Sequence, residues 1–199
     1  MNQKRLNIAL YLLGGLLVSL SMALGGVIYW NYMFHMPYRI EADCQGRGIE
    51  AETVKNWMER EKEGYLDIVN MAGWRIDEEQ IVTSVSTARR QRAQVISVYG
   101  SMELVEVSDI LCGRYGLDVE KSNYCVLSKD LANHLFGSVK VAGECIKLGN
   151  RRYIVAGVIE KEGDSLMIPM EEGVIEGLAV SFGCRAGAEE KMERLMSEG

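Results

Sequence analysis

One segment constrains this chain more than any other. From Leu6 to Trp30 the residues are apolar or small, with Asn7 the one amide among them. As a helix this run is long enough to cross a bilayer core of about 30 Å. Lys4 and Arg5 precede it, and no further Lys or Arg occurs until Arg39. Tyr29, Trp30, Tyr32 and Phe34 form an aromatic belt at its far end, of the kind found at a membrane interface. The charge bias places the N-terminus, residues 1–5, in the cytoplasm and the chain beyond about residue 35 outside. The expected layout is a transmembrane helix over 6–30, a juxtamembrane connector over 31–48 and an extracytoplasmic domain over 49–199.

A cleaved signal peptide is the rival reading, because Ser21-Met22-Ala23 loosely fits a small-x-small cleavage site. The apolar run continues well past that site, and signal cores span about 7–15 residues. An uncleaved single-pass anchor in the cell membrane is therefore expected. Gly15, Ser19 and Ala23 recur every four residues and make a small-residue stripe on which another membrane helix can dock. A homo-oligomer is a further possibility for the chain.

The polar remainder is large enough for one domain with its own core. A net charge of −6 argues against a nucleic-acid partner. Arg89, Arg90 and Arg92 are the local exception and read first as a solvated hairpin loop, with acidic headgroups or a partner as the functional alternative. The five cysteines, Cys44, Cys112, Cys125, Cys145 and Cys184, include no C-x-x-C pair. Cys112, Cys125 and Cys145 read as buried thiols, and a Cys112–Cys125 disulfide stays open.

Residues 38–48 read as a polar connector with two glycines. A helix is predicted over 51–63, its apolar stripe formed by Ile49, Val54, Trp57, Met58 and Tyr65, with Gly64 as its stop. Strand-like runs follow at 66–71, 81–85 and 94–98. Asp77, Glu78 and Glu79 between the first two read as a solvated turn. Tyr124–Leu127 reads as a buried strand, Ser128 as an N-cap, 129–136 as a two-turn helix and Gly137 as its end. Cys145–Leu148 and 152–158 read as strands joined by a tight turn at Gly149-Asn150. Ala186–Met196 closes the chain as a charged helix. The fold class is mixed α/β, and the hairpins mean the sheet is not purely parallel.

These residues carry a resemblance. Leu111-Cys112-Gly113-Arg114, Val126-Leu127-Ser128, Ala132 through Leu135-Phe136-Gly137, Val141-Ala142-Gly143, Ile146-Lys147-Leu148 and Tyr153 through Gly157-Val158 occur in order. The set resembles the MacB-like extracytoplasmic (periplasmic) core domain of MacB/FtsX-type ABC transporter permeases. That family shows L-x-G-R, V-L-I-S-x-x-x-A-x-x-L-F-G, V-x-G-x-x-I-x-L and Y-x-V-V-G-V. Gly113, Arg114, Ser128, Leu135, Phe136, Gly137, Gly143, Tyr153 and Gly157 are its motif positions here, and their roles read as structural.

The resemblance implies an outer module that relays motion between ATP hydrolysis inside and proteins outside. It also implies three further spans after the domain. No second apolar run occurs in these 199 residues. The expected partners are thus separately encoded permease and ATPase subunits, unless the chain is a truncated permease. It has no G-x-x-x-x-G-K-[ST] phosphate loop of its own.

No catalytic, cofactor-binding or metal-binding residue is expected. His35 and His134 are the only histidines, and Ser128 lacks a nucleophile elbow. The chain is therefore expected to act by contact and not as an enzyme. The alternative is a stand-alone sensor or ligand-binding domain, which would show a deep apolar pocket with convergent polar groups.

Overall fold

The computed structural model describes residues 3–62, 64, 66–116 and 123–198, with side chains from residue 13 onward. Helix α1 (Gln3–Phe34) carries the apolar run and continues through the aromatic belt. Within Leu13–Phe34 its most apolar 18-residue window has a mean hydropathy of 1.7, and none of that window is covered by protein. The hydroxyls of Ser19 and Ser21 donate back to the carbonyls of Leu16 and Leu17, both at 2.9 Å, so neither is left unbonded on the helix surface.

The rest of the described chain builds one mixed sheet. Its strands are β1 (Tyr38–Asp43), β2 (Ile68–Ser84), β3 (Arg90–Gly100), β4 (Ile110–Gly113), β5 (Tyr124–Ser128), β6 (Cys145–Leu148), β7 (Arg151–Ile159), β8 (Ser165–Pro169) and β9 (Gly177–Phe182). They lie in the order β1-β9-β2-β3-β8-β5-β7-β4. β3 and β8 pair in parallel, as do β5 and β7, and the remaining pairs are antiparallel. Strand β6 bridges β7 back to the far end of β2. That bridge closes a ring, β2-β3-β8-β5-β7-β6, so the sheet is open at one end and curled into a small barrel at the other.

Each end has its own core on the same side of the sheet. Helix α2 (Ala51–Glu61) and helix α5 (Ala188–Ser197) cover the open end. Ile49, Val54, Trp57, Met71, Leu178, Phe182, Met192 and Leu195 fill the space between them. The predicted helical stripe is real at Ile49, Val54 and Trp57, with Met58 at its edge; Glu63 and Tyr65 lie outside the described residues. Helix α4 (Lys129–Phe136) plugs the barrel, where Leu131 and Leu135 meet Val82, Leu127, Ile146 and Val158. Alternation along β5 splits the layers: Cys125 and Leu127 face the barrel, while Val126 faces a third cluster under helix α3 (Met102–Val105).

Two expectations are corrected. Residues 38–48 are not a plain connector: Tyr38–Asp43 pair along their full length with β9. YRIEAD alternates, and Tyr38, Ile40 and Ala42 pack on the α5 side; one buried face is enough for an edge strand. Asp77, Glu78 and Glu79 are not a turn, because β2 runs unbroken through them. The register with β3 shifts between Asp77 and Gln80, so the trio sits at a β-bulge. There Asp77 accepts hydrogen bonds from Arg75 Nε at 2.8 Å and from Ser97 Oγ, which hold the bend.

Candidate functional site: the junction of helix and domain

The end of α1 is fastened to the domain rather than hinged on it. Arg185, in the loop between β9 and α5, lays its guanidinium carbon 5.2 Å from the Tyr32 ring centre and 4.4 Å from that of Tyr38. It also donates to the Tyr32 hydroxyl. One cation thus sits against two rings, one on α1 and one at the start of β1. Beside it the Ala186 N–H donates to the Met33 carbonyl at 3.0 Å. The same loop is tied inward, where Gly183 N–H donates to the Asp67 carbonyl at 2.9 Å. Tyr38, Phe182 and Ile68 stand side by side in register, so this contact abuts three adjacent strands. The contacts at the end of α1 therefore converge on the open end of the sheet.

A second set of polar contacts stiffens the other face of that end. Lys161 pairs with Glu106, and Arg39 on β1 donates to the Leu104 carbonyl of α3. Burial acts to raise the Glu106 carboxyl, but bonds from Lys161 and Ser108 and the charges of Lys161 and Arg39 outweigh it and hold the group below its ordinary value. A depressed carboxyl adds stability that is present above its unfolded value and lost as pH falls through the lower folded one. Glu106→Gln is thus expected to flatten the fall in thermal stability below about pH 4.5, the ordinary value. Melting the full-length protein and the variant across pH 3–7 checks this.

The motif positions gather around one strand, β7. Gly113 and Gly157 are opposite one another where β4 crosses β7. A Cβ on Gly157 would lie 2.4 Å from the Arg114 carbonyl oxygen, and one on Gly113 would lie 2.1 Å from that of Ala156. Arg114 N–H donates to Ala156 at 3.0 Å across this gap. Gly143 N–H donates to Val155 at 2.8 Å. Tyr153 is buried on the barrel side. The Ser128 oxygen, itself buried, accepts from Leu131 N–H at 3.3 Å and from Ser165 N–H at 3.1 Å. It caps α4 as expected and also ties in β8. Gly137 takes the left-handed conformation that ends α4, with Leu135 buried and Phe136 at the core margin.

The other candidates fall apart from one another. Gly15, Ser19 and Ala23 lie along one exposed side of α1. Arg89 lies in the β2–β3 loop, while Arg90 and Arg92 open β3. All five cysteines are free thiols, with Cys44 and Cys125 fully buried. His134 is exposed, with its Nδ1 2.8 Å from Asp164 Oδ1. Among the described residues no group of three or more His, Cys, Asp or Glu is placed to hold a metal ion. An apolar groove of about 470 Å³ runs between β1 and α5, lined by Ile40, Ala42, Met192 and Met196 with Arg47, Glu189 and Glu193 at its rim.

Arg185 escaped the sequence reading. Its only local signal is a lone cation between two glycines, Gly183 and Gly187, and nothing nearby says that it points at residue 32.

The family model for the MacB-like periplasmic core domain matches residues 38–190. The chain belongs to that family. Its matched span begins at β1, the strand that follows the junction. The fold is that of the periplasmic region of MacB from Actinobacillus actinomycetemcomitans, with a TM-score of 0.60 at 15% identity over 83% of each chain. It is also that of the extracellular domain of the noncanonic ABC-type transporter YknZ from Gram-positive bacteria, with a TM-score of 0.57 at 12% identity over 81% of this chain and 91% of the other. No curated protein matches the chain by sequence.

Proposed function

We propose that this protein is a membrane-anchored extracytoplasmic module of a MacB/FtsX-type ABC transporter permease system, acting by protein contact and not by catalysis. The junction is the observation that carries the proposal. A family domain of transporter permeases follows an uncovered apolar helix, and Arg185 and Ala186 bind that helix to a loop that abuts three adjacent strands. A passive tether would need no such fastening; a part that receives movement from the membrane does.

The remaining pieces fit the same reading. Lys4 and Arg5 put the N-terminus in the cytoplasm, with α1 spanning once and the domain outside. The Gly15, Ser19 and Ala23 stripe is the face on which α1 meets a permease span. Ser128 is spent on two backbone N–H groups inside the core and is not presented to a substrate. The β1–α5 groove is open to solvent, which supports contact over enclosure of a small ligand. Purification from native membranes, followed by identification of any ATP-hydrolysing and permease subunits retained, tests the proposal.

A further inference from the structure

Strand register collects cations that are scattered in sequence. Arg90 on β3 stands opposite Thr83 on β2. Thr83 stands opposite Lys147 on β6, and Lys147 opposite Arg152 on β7. Positions facing one another across a ladder point to the same side of a sheet. The inward rows on either side, Val82–Leu148 and Ser84–Ile146–Tyr153, are buried in the barrel, so this row points out. Arg90, Lys147 and Arg152 are exposed, as is Arg92 one step along β3.

None of the four side chains makes a hydrogen bond, ion pair or ring contact among the described residues. The row has apolar shoulders. Ile81, opposite Arg92, is 57% exposed on one side; Val85 and Ile154, at 47% and 36%, lie on the other. Glu79 and Glu144 stand at the margins, and Glu144 is engaged with Ser86 at 2.8 Å. Lys147 and Arg152 are directly opposed like charges, an arrangement that weakens a sheet. In a chain of net charge −6, nothing in the fold explains a concentrated, unneutralised cationic row.

We infer that this outer barrel face is a docking surface for an acidic segment of a partner protein, with carboxylates meeting the cationic row and apolar side chains meeting its shoulders. Charge complementarity selects an acidic occupant. Position selects a protein over the lipid of the anchoring membrane. Ile68 of β2 lies beside the helix junction, and Thr83 is 15 residues further along the same strand. At about 3.3 Å per residue that is roughly 50 Å of strand. The surface sits at the opposite end of β2 from the helix junction, and the inference stands whether or not a permease binds α1.

The test uses the full chain in zwitterionic nanodiscs and a fluorescent peptide of alternating Glu and Val, read by anisotropy. Binding that weakens with salt, and that Lys147→Glu with Arg152→Glu weakens at least about tenfold, is expected. Lys55→Glu, on α2 in the other half, is expected to leave binding unchanged. Should the double reversal misfold, Lys147→Gln with Arg152→Gln is expected to weaken binding about threefold or more. Lys147→Thr is expected to hold or raise the melting temperature, because it relieves the opposed charges. Peptide binding indifferent to these substitutions in folded protein would overturn the inference. So would flotation with phosphatidylglycerol vesicles that the same reversals abolish, which would make the row a lipid contact, or a lowered melting temperature in Lys147→Thr, which would make Lys147 structural.

Discussion

Replacing Gly157 with alanine is expected to cost at least about 3 kcal/mol and to open the barrel end of the domain. The added methyl would sit 2.4 Å from the Arg114 carbonyl oxygen, 2.9 Å from its nitrogen and 3.0 Å from its carbonyl carbon. These are backbone atoms, fixed by the Arg114–Ala156 hydrogen bond, and cannot swing aside as a long side chain can. Overpacking a well-packed site costs about 1–3 kcal/mol, occasionally more, and here the whole β4 crossing must move, which puts the cost at the upper end. Gly116→Ala is the control, since its nearest neighbour, the Tyr124 hydroxyl, would be 3.7 Å away. That variant is expected to stay within about 0.5 kcal/mol of the parent. Thermal unfolding of the full-length protein measures both. Alkylation of Cys125 gives a local readout: the thiol is fully buried, and burial raises its pKa so that little thiolate forms. Gly157→Ala should make it reactive under conditions where the parent is inert.

Ser128→Ala is the second large effect, at about 2–3 kcal/mol. Loss of a side-chain cap alone costs about 1 kcal/mol, because one N–H of the first turn goes unpaired. Here the same oxygen also serves Ser165 N–H, and the site is buried, so a second donor is stranded away from water. The loss should extend past α4 into β8, since Ser165 is the residue that starts that strand. Ser128→Thr keeps the acceptor and should recover most of the stability. If Ser128→Ala instead matches a simple exposed cap, the bond to Ser165 contributes nothing.

The α4 region was legible because its signals are local. A serine cap, an apolar face of period 3.6 and a terminating glycine fall within ten residues, and the helix bounds agree with the reading. The β6–β7 hairpin was legible for the same reason: Gly149 takes the positive φ that its two-residue turn demands. Strands whose partners lie far away were harder. β1 looks polar because only alternate residues are buried, and its partner β9 lies more than a hundred residues downstream. The sequence alone predicts neither β8 nor β9. The acidic trio in β2 imitates a turn because a bulge lets carboxylates leave the sheet without breaking the strand.

The candidate sites divide along the same line. The motif glycines could be named from sequence, yet their purpose, the β4–β7 crossing, needs the register between residues 113 and 157. Arg90 and Arg92 were visible as a cluster, while Lys147 and Arg152 join them only through two further strand pairings. The junction is the extreme case. Its partners are residues 32, 38 and 185, and no pattern of spacing connects an arginine in a glycine loop with tyrosines at the far end of the chain.

The apolar helix is long enough to set the protein in a membrane, the junction fastens that helix to the domain, and the single sheet links that junction to the barrel at the other end. Transmission through the junction, as proposed, requires something in the membrane that moves. The direct measurement is recovery of the full-length chain from native membranes in a mild, uncharged detergent, with quantification of every co-eluting subunit. An ATP-hydrolysing subunit and a polytopic permease, retained in fixed ratio to this chain, are the predicted result. Recovery of this chain alone, or only with further copies of itself, would contradict it.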